Sequence, residues 1–104
     1  MWIAMNTGWL SIVENRNSEE TLLVRARSLK HILNVFPDCD HFKDRTADYP
    51  YRAYIAREEV GSKIMDALLN INYDNFKNSV EDGKLHSAYE LLWGDIAMSY
   101  HDER

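Results

Sequence analysis

The chain predicts an α+β fold: a small, mostly antiparallel sheet with helices packed on one face and concentrated in the C-terminal half. Three observations carry that expectation. The first half holds short strand-like runs, Trp2–Met5, Trp9–Val13, Leu22–Arg27 and Tyr49–Ala56, joined by connections that favour antiparallel pairing. The second half places apolar residues at helical spacing, first Val60, Ile64, Leu68 and Ile71, then Leu85, Tyr89, Leu92, Trp93, Ile96 and Tyr100. Between them, Thr21–Phe36 reads as a strand running directly into a short amphipathic helix. The order is β-β-β-α-(β)-β-α-α-α, one sheet with segregated helices.

Met1–Glu14 reads as a hairpin in which Asn6-Thr7-Gly8 forms a tight turn, with Gly8 supplying a positive φ. Glu14–Glu20, ENRNSEE, is polar throughout and breaks the pattern, so it is expected as a loop. In the next strand, period two puts Leu22, Val24 and Ala26 on one face and Leu23, Arg25 and Arg27 on the other. The small apolar set suits the core. Ser28 is placed to cap a helix whose stripe is Leu29, Ile32, Leu33 and Phe36, and Pro37 stops it. Asp38–Asp48 is polar around Phe42 and leaves room for a short fourth strand. Pro50 puts the start of the Tyr49–Ala56 strand at an edge or outside the ladder. Glu58 and Glu59 then sit at the positive end of a helix dipole. Asn70–Asp74 breaks that helix, Asp74 is placed to cap a short helix bearing Phe76 and Val80, and Glu81-Asp82-Gly83 ends it. The last helix runs Leu85–Tyr100. Gly94 costs it about 1 kcal/mol relative to Ala, which close packing would justify. The tail HDER is expected to fray.

Size and composition bound the rest. At 104 residues, 45% apolar with three Trp, six Tyr and three Phe, the chain is expected to be a single domain, 1–104, with material for a core of its own. The lone Cys39 excludes an internal disulfide and fits a reducing compartment. The start MWIAMNTGWLSIV lacks a basic segment ahead of its apolar residues, and no apolar run approaches the roughly 20 residues of a membrane span, so a cytoplasmic protein without membrane contact is expected. A net charge of −5 and a pI near 5.3 argue against general electrostatic binding of nucleic acid. They leave room for a local basic patch.

Such a patch is the main functional expectation. If the strands carrying Arg25 and Arg52 pair, one sheet face gathers Arg25, Arg27, Arg52 and Tyr54, with Trp9 or Trp2 joining from the hairpin. Guanidinium groups beside aromatic rings suit phosphate contact, base stacking or capture of a partner's carboxylates. The competing reading is that these arginines pair with Glu14, Glu19, Glu20 and Asp48 and lay their stems over the sheet. Trp93 and Tyr100 are candidates for a partner or oligomer interface, although the stripe of Tyr89, Leu92, Trp93 and Ile96 reads most simply as core.

Catalytic and metal chemistry find less support. Asp38-Cys39-Asp40-His41 offers ligand types, but no second Cys and no paired His stands at zinc spacing, and a solvated turn is the better reading. His31, His41, His86 and His101 stand apart in sequence and read as surface residues, His31 on the polar side of its helix. No nucleophile elbow or glycine-rich phosphate loop occurs: Gly8, Gly61, Gly83 and Gly94 stand singly. No enzyme, metal or cofactor is expected.

The segments LLVRARSLKHILNVFP, ADYPYRAY and YDNFKNSV, behind the MW…GWLSIV start, resemble a family of small, uncharacterised bacterial and phage proteins. Its pattern runs MW-x-G-[FLW]-x-S-V…L-x-VRAR…DY-x-YR…Y-x-NFK-x-x-V…Y-x-x-x-W. The likeness covers most of the chain in the same order and implies no activity. It directs attention to Arg25, Arg27, Tyr49, Arg52, Asn75, Phe76 and Lys77. The expected function is a small non-enzymatic binding protein, in concrete form a phage-type, anti-CRISPR-like inhibitor of a host defence complex acting by steric occlusion. The expected partner is a protein, with a host nucleoprotein complex as one form of it; self-association is open. The alternative is a nucleic-acid or nucleotide-binding module using the arginine and aromatic sheet face.

Overall fold

A computed structural model describes residues 1–103 and confirms the α+β class. The chain forms two compact units, Met1–Asn72 and Tyr73–Arg104. The first contains the sheet. Its strands are β1 (Trp2–Met5), β2 (Gly8–Asn15), β3 (Ser18–Ala26), β4 (Phe42–Lys43) and β5 (Tyr51–Ala56), arranged β1-β2-β3-β5-β4 with every neighbouring pair antiparallel. Helix α1 (Leu29–Leu33) leaves β3 and helix α2 (Arg57–Leu69) leaves β5. Both cover the same sheet face. Leu10, Ile12, Val24, Ala26, Ala53 and Ile55 from the strands close a buried core with Ile32, Phe36 and Val60. Leu22, Val35 and Ile64 pack against that core half-buried.

The first hairpin departs from expectation in an instructive way. The register pairs Met5 with Gly8 across a two-residue turn, yet none of the described residues has a positive φ. Gly8 is required by a neighbour instead. A Cβ there would lie 2.7 Å from the Cβ of His31 and 2.8 Å from its Cα, so the α1 backbone can approach β2 only over a glycine. His31 is accordingly half-buried, not on a polar surface, and its Nδ1 accepts a hydrogen bond from the Trp9 N–H at 3.3 Å.

The segment ENRNSEE is mostly strand. β2 runs to Asn15 and β3 begins at Ser18, with a register shift at Glu14/Asn15. Asn15 holds the connection through its Nδ2, which donates to Thr21 Oγ1 at 2.7 Å, and its Oδ1, which accepts from the Asn17 N–H at 3.0 Å. The hairpin end carries exposed Glu19 and Glu20, so it needs no apolar alternation to stay paired. Ser28 occupies the expected N-cap position with extended backbone, but its side chain makes no capping bond. The α1 helix ends at Leu33, before Pro37; Phe36 is nevertheless buried because the chain turns back there, its N–H donating to Ile32 O at 2.8 Å. Pro50 lies outside the ladder, and its carbonyl accepts from the Asp44 N–H at 2.8 Å. In α2 only the first half of the apolar stripe is engaged: Val60 is buried, whereas Leu68, Leu69 and Ile71 are exposed.

The second unit holds α3 (Phe76–Ser79), α4 (Gly83–Ser99) and a 3₁₀ turn at His101–Glu103. Asn75, not Asp74, caps α3, its Oδ1 accepting from the Asn78 N–H at 3.0 Å. Asp82 begins α4 as well as ending the preceding turn, with Oδ1 accepting from the N–H groups of Lys84 and Leu85 at 3.0 and 3.2 Å. Val80, Leu85 and Tyr89 are buried and Phe76 packs on Tyr89, ring centroids 5.1 Å apart. The expected core stripe ends there. Trp93, Ile96 and Tyr100 are exposed, as are Leu91 and Met98, and nothing lies within 4 Å of a Cβ built on Gly94, so no close packing explains that glycine. Among the described residues no helix is long and apolar enough to cross a membrane.

Candidate functional site

The sheet face opposite α1 and α2 carries the expected arginines. Cross-strand registers align one row through all five strands: Trp2 opposite Ser11, Ser11 opposite Arg25, Arg25 opposite Arg52, and Arg52 opposite Phe42. Directly opposed residues of an antiparallel pair share a face, so aromatic rings close both ends of the row and two guanidinium groups occupy its middle. Adjacent rows set Trp9 opposite Ala4, and Tyr54 opposite Leu23 and thus Val13. Trp2 and Trp9 meet edge to face at 5.5 Å, and Phe42 stacks on Tyr54 at 5.7 Å. Trp2 is 66% exposed, Tyr54 50% and Phe42 43%, so these rings present area outward despite their mutual contacts.

Tyr49 organises the arginines. The guanidinium carbons of Arg25 and Arg27 each lie 4.9 Å from the Tyr49 ring centroid, so the two cations can be no farther apart than twice that distance. Arg52 Nη1 donates to the Tyr49 carbonyl oxygen at 3.3 Å. Arg25 Nη2 donates to the hydroxyl of buried Ser11 at 2.7 Å, while Arg25 Nε is buried without an acceptor. Among the described residues no carboxylate lies within ion-pairing distance of Arg25, Arg27 or Arg52, and Glu14, Glu19, Glu20 and Asp48 do not fill that role. Glu19 instead offers its backbone carbonyl to Arg57 Nε at 2.9 Å. Asp44 feels the charge of Arg52. Its carboxyl is held below the ordinary carboxylate value chiefly by the Thr46 hydroxyl and N–H, at 2.7 and 3.0 Å, with a smaller contribution from the charge of Arg52.

The arrangement therefore brings Arg25, Arg27 and Arg52 together, with Tyr54 in the next row and Trp9 toward the other edge. Sequence reasoning missed Ser11, which locks Arg25, and Phe42, which carries the face onto β4. It marked Tyr49 without assigning it the ring position beneath two arginines. The signal for Ser11 was its place in the strand that pairs with β3, readable only once the register is fixed.

Other candidate groups lie elsewhere. Trp93 and Tyr100 are exposed in the second unit, where Lys77 Nζ sits 4.0 Å from the Trp93 ring centroid. There Asn75 caps α3, and Phe76 stands between Tyr73 and Tyr89. His86 faces acceptors on both nitrogens, the Lys77 carbonyl at 2.7 Å from Nδ1 and Glu90 Oε1 at 3.0 Å from Nε2, so it bridges α3 to α4 and is more than a bystander. Asp38, Cys39 and Asp40 line an open groove of about 350 Å³ beside β5, with Glu59 and Lys63. Burial pushes the Cys39 thiol up, and the charges of Glu59, Asp40 and Asp38 add to it, the opposite of an activated nucleophile. Among the described residues no group of three His, Cys, Asp or Glu is placed to hold a metal ion.

Comparison with protein-family profiles, with curated proteins and with solved structures finds no match in any of the three.

Proposed function

We propose that the protein acts by binding, not by catalysis, and that the arginine and aromatic sheet face docks a protein partner. The observation that carries this reading is the row Trp2–Ser11–Arg25–Arg52–Phe42, flanked by Trp9, Arg27 and Tyr54, whose arginines meet no acidic partner among the described residues. Trp, Tyr and Arg are the residues that dominate binding energy at protein interfaces, and here they sit on a hydrogen-bonded sheet that loses little entropy on docking. In its concrete form the proposal is a small phage-type inhibitor that covers a working surface of a host defence complex. Its size, its acidic balance and the resemblance to phage proteins support that form.

The test compares capture from host lysate by the wild-type chain and by Arg27→Ala/Tyr54→Ala, both exposed positions. A partner identified by mass spectrometry should bind the wild type stoichiometrically and the variant about tenfold more weakly or worse. Equal capture by both would place docking elsewhere.

One observation favours a second reading. Guanidinium groups between exposed rings, with no acidic partner among the described residues, also suit a single-stranded nucleic acid, whose bases stack and whose phosphates pair. That reading requires affinity that falls steeply with salt, and the net charge of −5 opposes it.

A further inference from the structure

We infer that Arg25, Arg27 and Arg52 form a seat for a phosphate-class oxyanion, and that the partner meets this face with a phosphorylated side chain. The inference rests on the docking reading and adds the chemistry recognised there.

Like charges placed directly opposite each other on a sheet destabilise it, and Arg25 and Arg52 are such a pair. A chain with 17 acidic side chains against 12 basic ones has carboxylates to spare, yet none of the described ones neutralises this cluster. Tyr49 relieves part of the repulsion by offering its ring to Arg25 and Arg27 and its carbonyl to Arg52. These contacts also fix the guanidinium planes. Arg25 is held further by Ser11, while its buried Nε has no acceptor, so this side chain is kept under-satisfied. A buried donor without an acceptor calls for a partner, such as an ion, that supplies one.

The donor supply sets the ligand class. The contacts on Arg52 and Arg25 use one Nη hydrogen of each, and exposed Arg27 donates no hydrogen bond among the described residues. The remaining N–H groups outnumber the acceptor sites of a single carboxylate and can serve all three terminal oxygens of a tetrahedral dianion. Guanidinium forks engage such an anion two bonds at a time. A nucleic-acid backbone supplies only one charge per phosphate, and the acidic chain repels the long polyanion more than a single modified side chain.

The full chain is titrated with inorganic phosphate, and separately with malonate, at matched ionic strength, following arginine side-chain resonances by NMR. Saturable shifts with phosphate, about tenfold tighter than with malonate, are expected. Arg27→Gln, an exposed change, should weaken binding about tenfold, and Arg25→Met should abolish it while the backbone amide spectrum shows the fold retained. No saturation, equal affinity for malonate, or binding that survives both substitutions would overturn the inference. A phosphoserine peptide is then compared with an oligothymidylate of equal charge. Tighter peptide binding supports the phosphorylated side chain, and tighter oligonucleotide binding overturns it. The two proposals fail separately: a captured partner whose binding is insensitive to phosphatase treatment leaves docking intact and removes the oxyanion.

Discussion

At the scale of single residues, environment decides roles that residue type leaves open. Gly8 sits where the Cα and Cβ of His31 come within 3 Å of any added methyl, and backbone cannot move aside as a flexible side-chain tip would. Gly8→Ala is therefore expected to destabilise the chain by about 1–3 kcal/mol through overpacking, read from the midpoint of urea unfolding; an unchanged midpoint would show that α1 yields freely. Cys39 supplies a test in pH. Its folded-state thiol is raised above the ordinary value by burial, so the unfolded chain loses this proton first. The stabilising contribution is complete below the ordinary thiol value and disappears as pH rises through the folded one. The wild type should thus lose stability as pH rises through and above the ordinary thiol value more steeply than Cys39→Ser, and parallel curves would contradict the assignment.

Secondary-structure elements fail or hold at their ends. Asp82 satisfies two N–H groups of α4, the longest helix, with one carboxylate oxygen. Asp82→Ala should cost about 1 kcal/mol, seen as a lower thermal midpoint, whereas Asp82→Asn or Asp82→Ser should recover most of it. The two-residue strand β4 depends on the turn that follows. Asp44 accepts from Thr46 twice, and its N–H donates to the Pro50 carbonyl. Since the Asp44 carboxyl is held below its ordinary value, its contribution is present above that value and is lost as pH falls through the folded one. Thr46→Ala should raise the Asp44 titration midpoint in an NMR pH series; no movement would assign the shift to the Thr46 N–H and Arg52 without the hydroxyl. These elements were only partly legible beforehand. Alternation in Leu22–Ala26 identified the core face of β3, and Pro37 and Pro50 marked boundaries. The polar hairpin end was not legible, because strand residues outside the core need no apolar period. The capping role of Asn75 was hidden as well: Asp74 beside it has equal intrinsic preference, and backbone geometry chose between them.

For the whole molecule the question is what covers its apolar surface. Leu91, Trp93, Ile96, Met98 and Tyr100 on and after α4 are all more than half exposed, and α2 exposes Leu68 and Leu69. Patches of this kind accompany association, consistent with Trp93 and Tyr100 as interface candidates. Leu91→Lys/Met98→Lys should cut binding of a hydrophobic dye while shifting stability by no more than about 0.5 kcal/mol; a large loss of stability would mean these side chains are packed. Period and spacing determined by themselves that the chain is α+β, which residues of β3 face inward, and that Arg25 and Arg27 point away from the core. They could not determine that β5 lies beside β3 with β4 outside it, or that Arg52 comes opposite Arg25 with Tyr49 beneath. Nor could they show that half of the α2 stripe and half of the α4 stripe are exposed. A period assigns a residue to a face, which is local. Neighbours across strands and over helices are set by pairing between distant segments, and only the tertiary structure decides them.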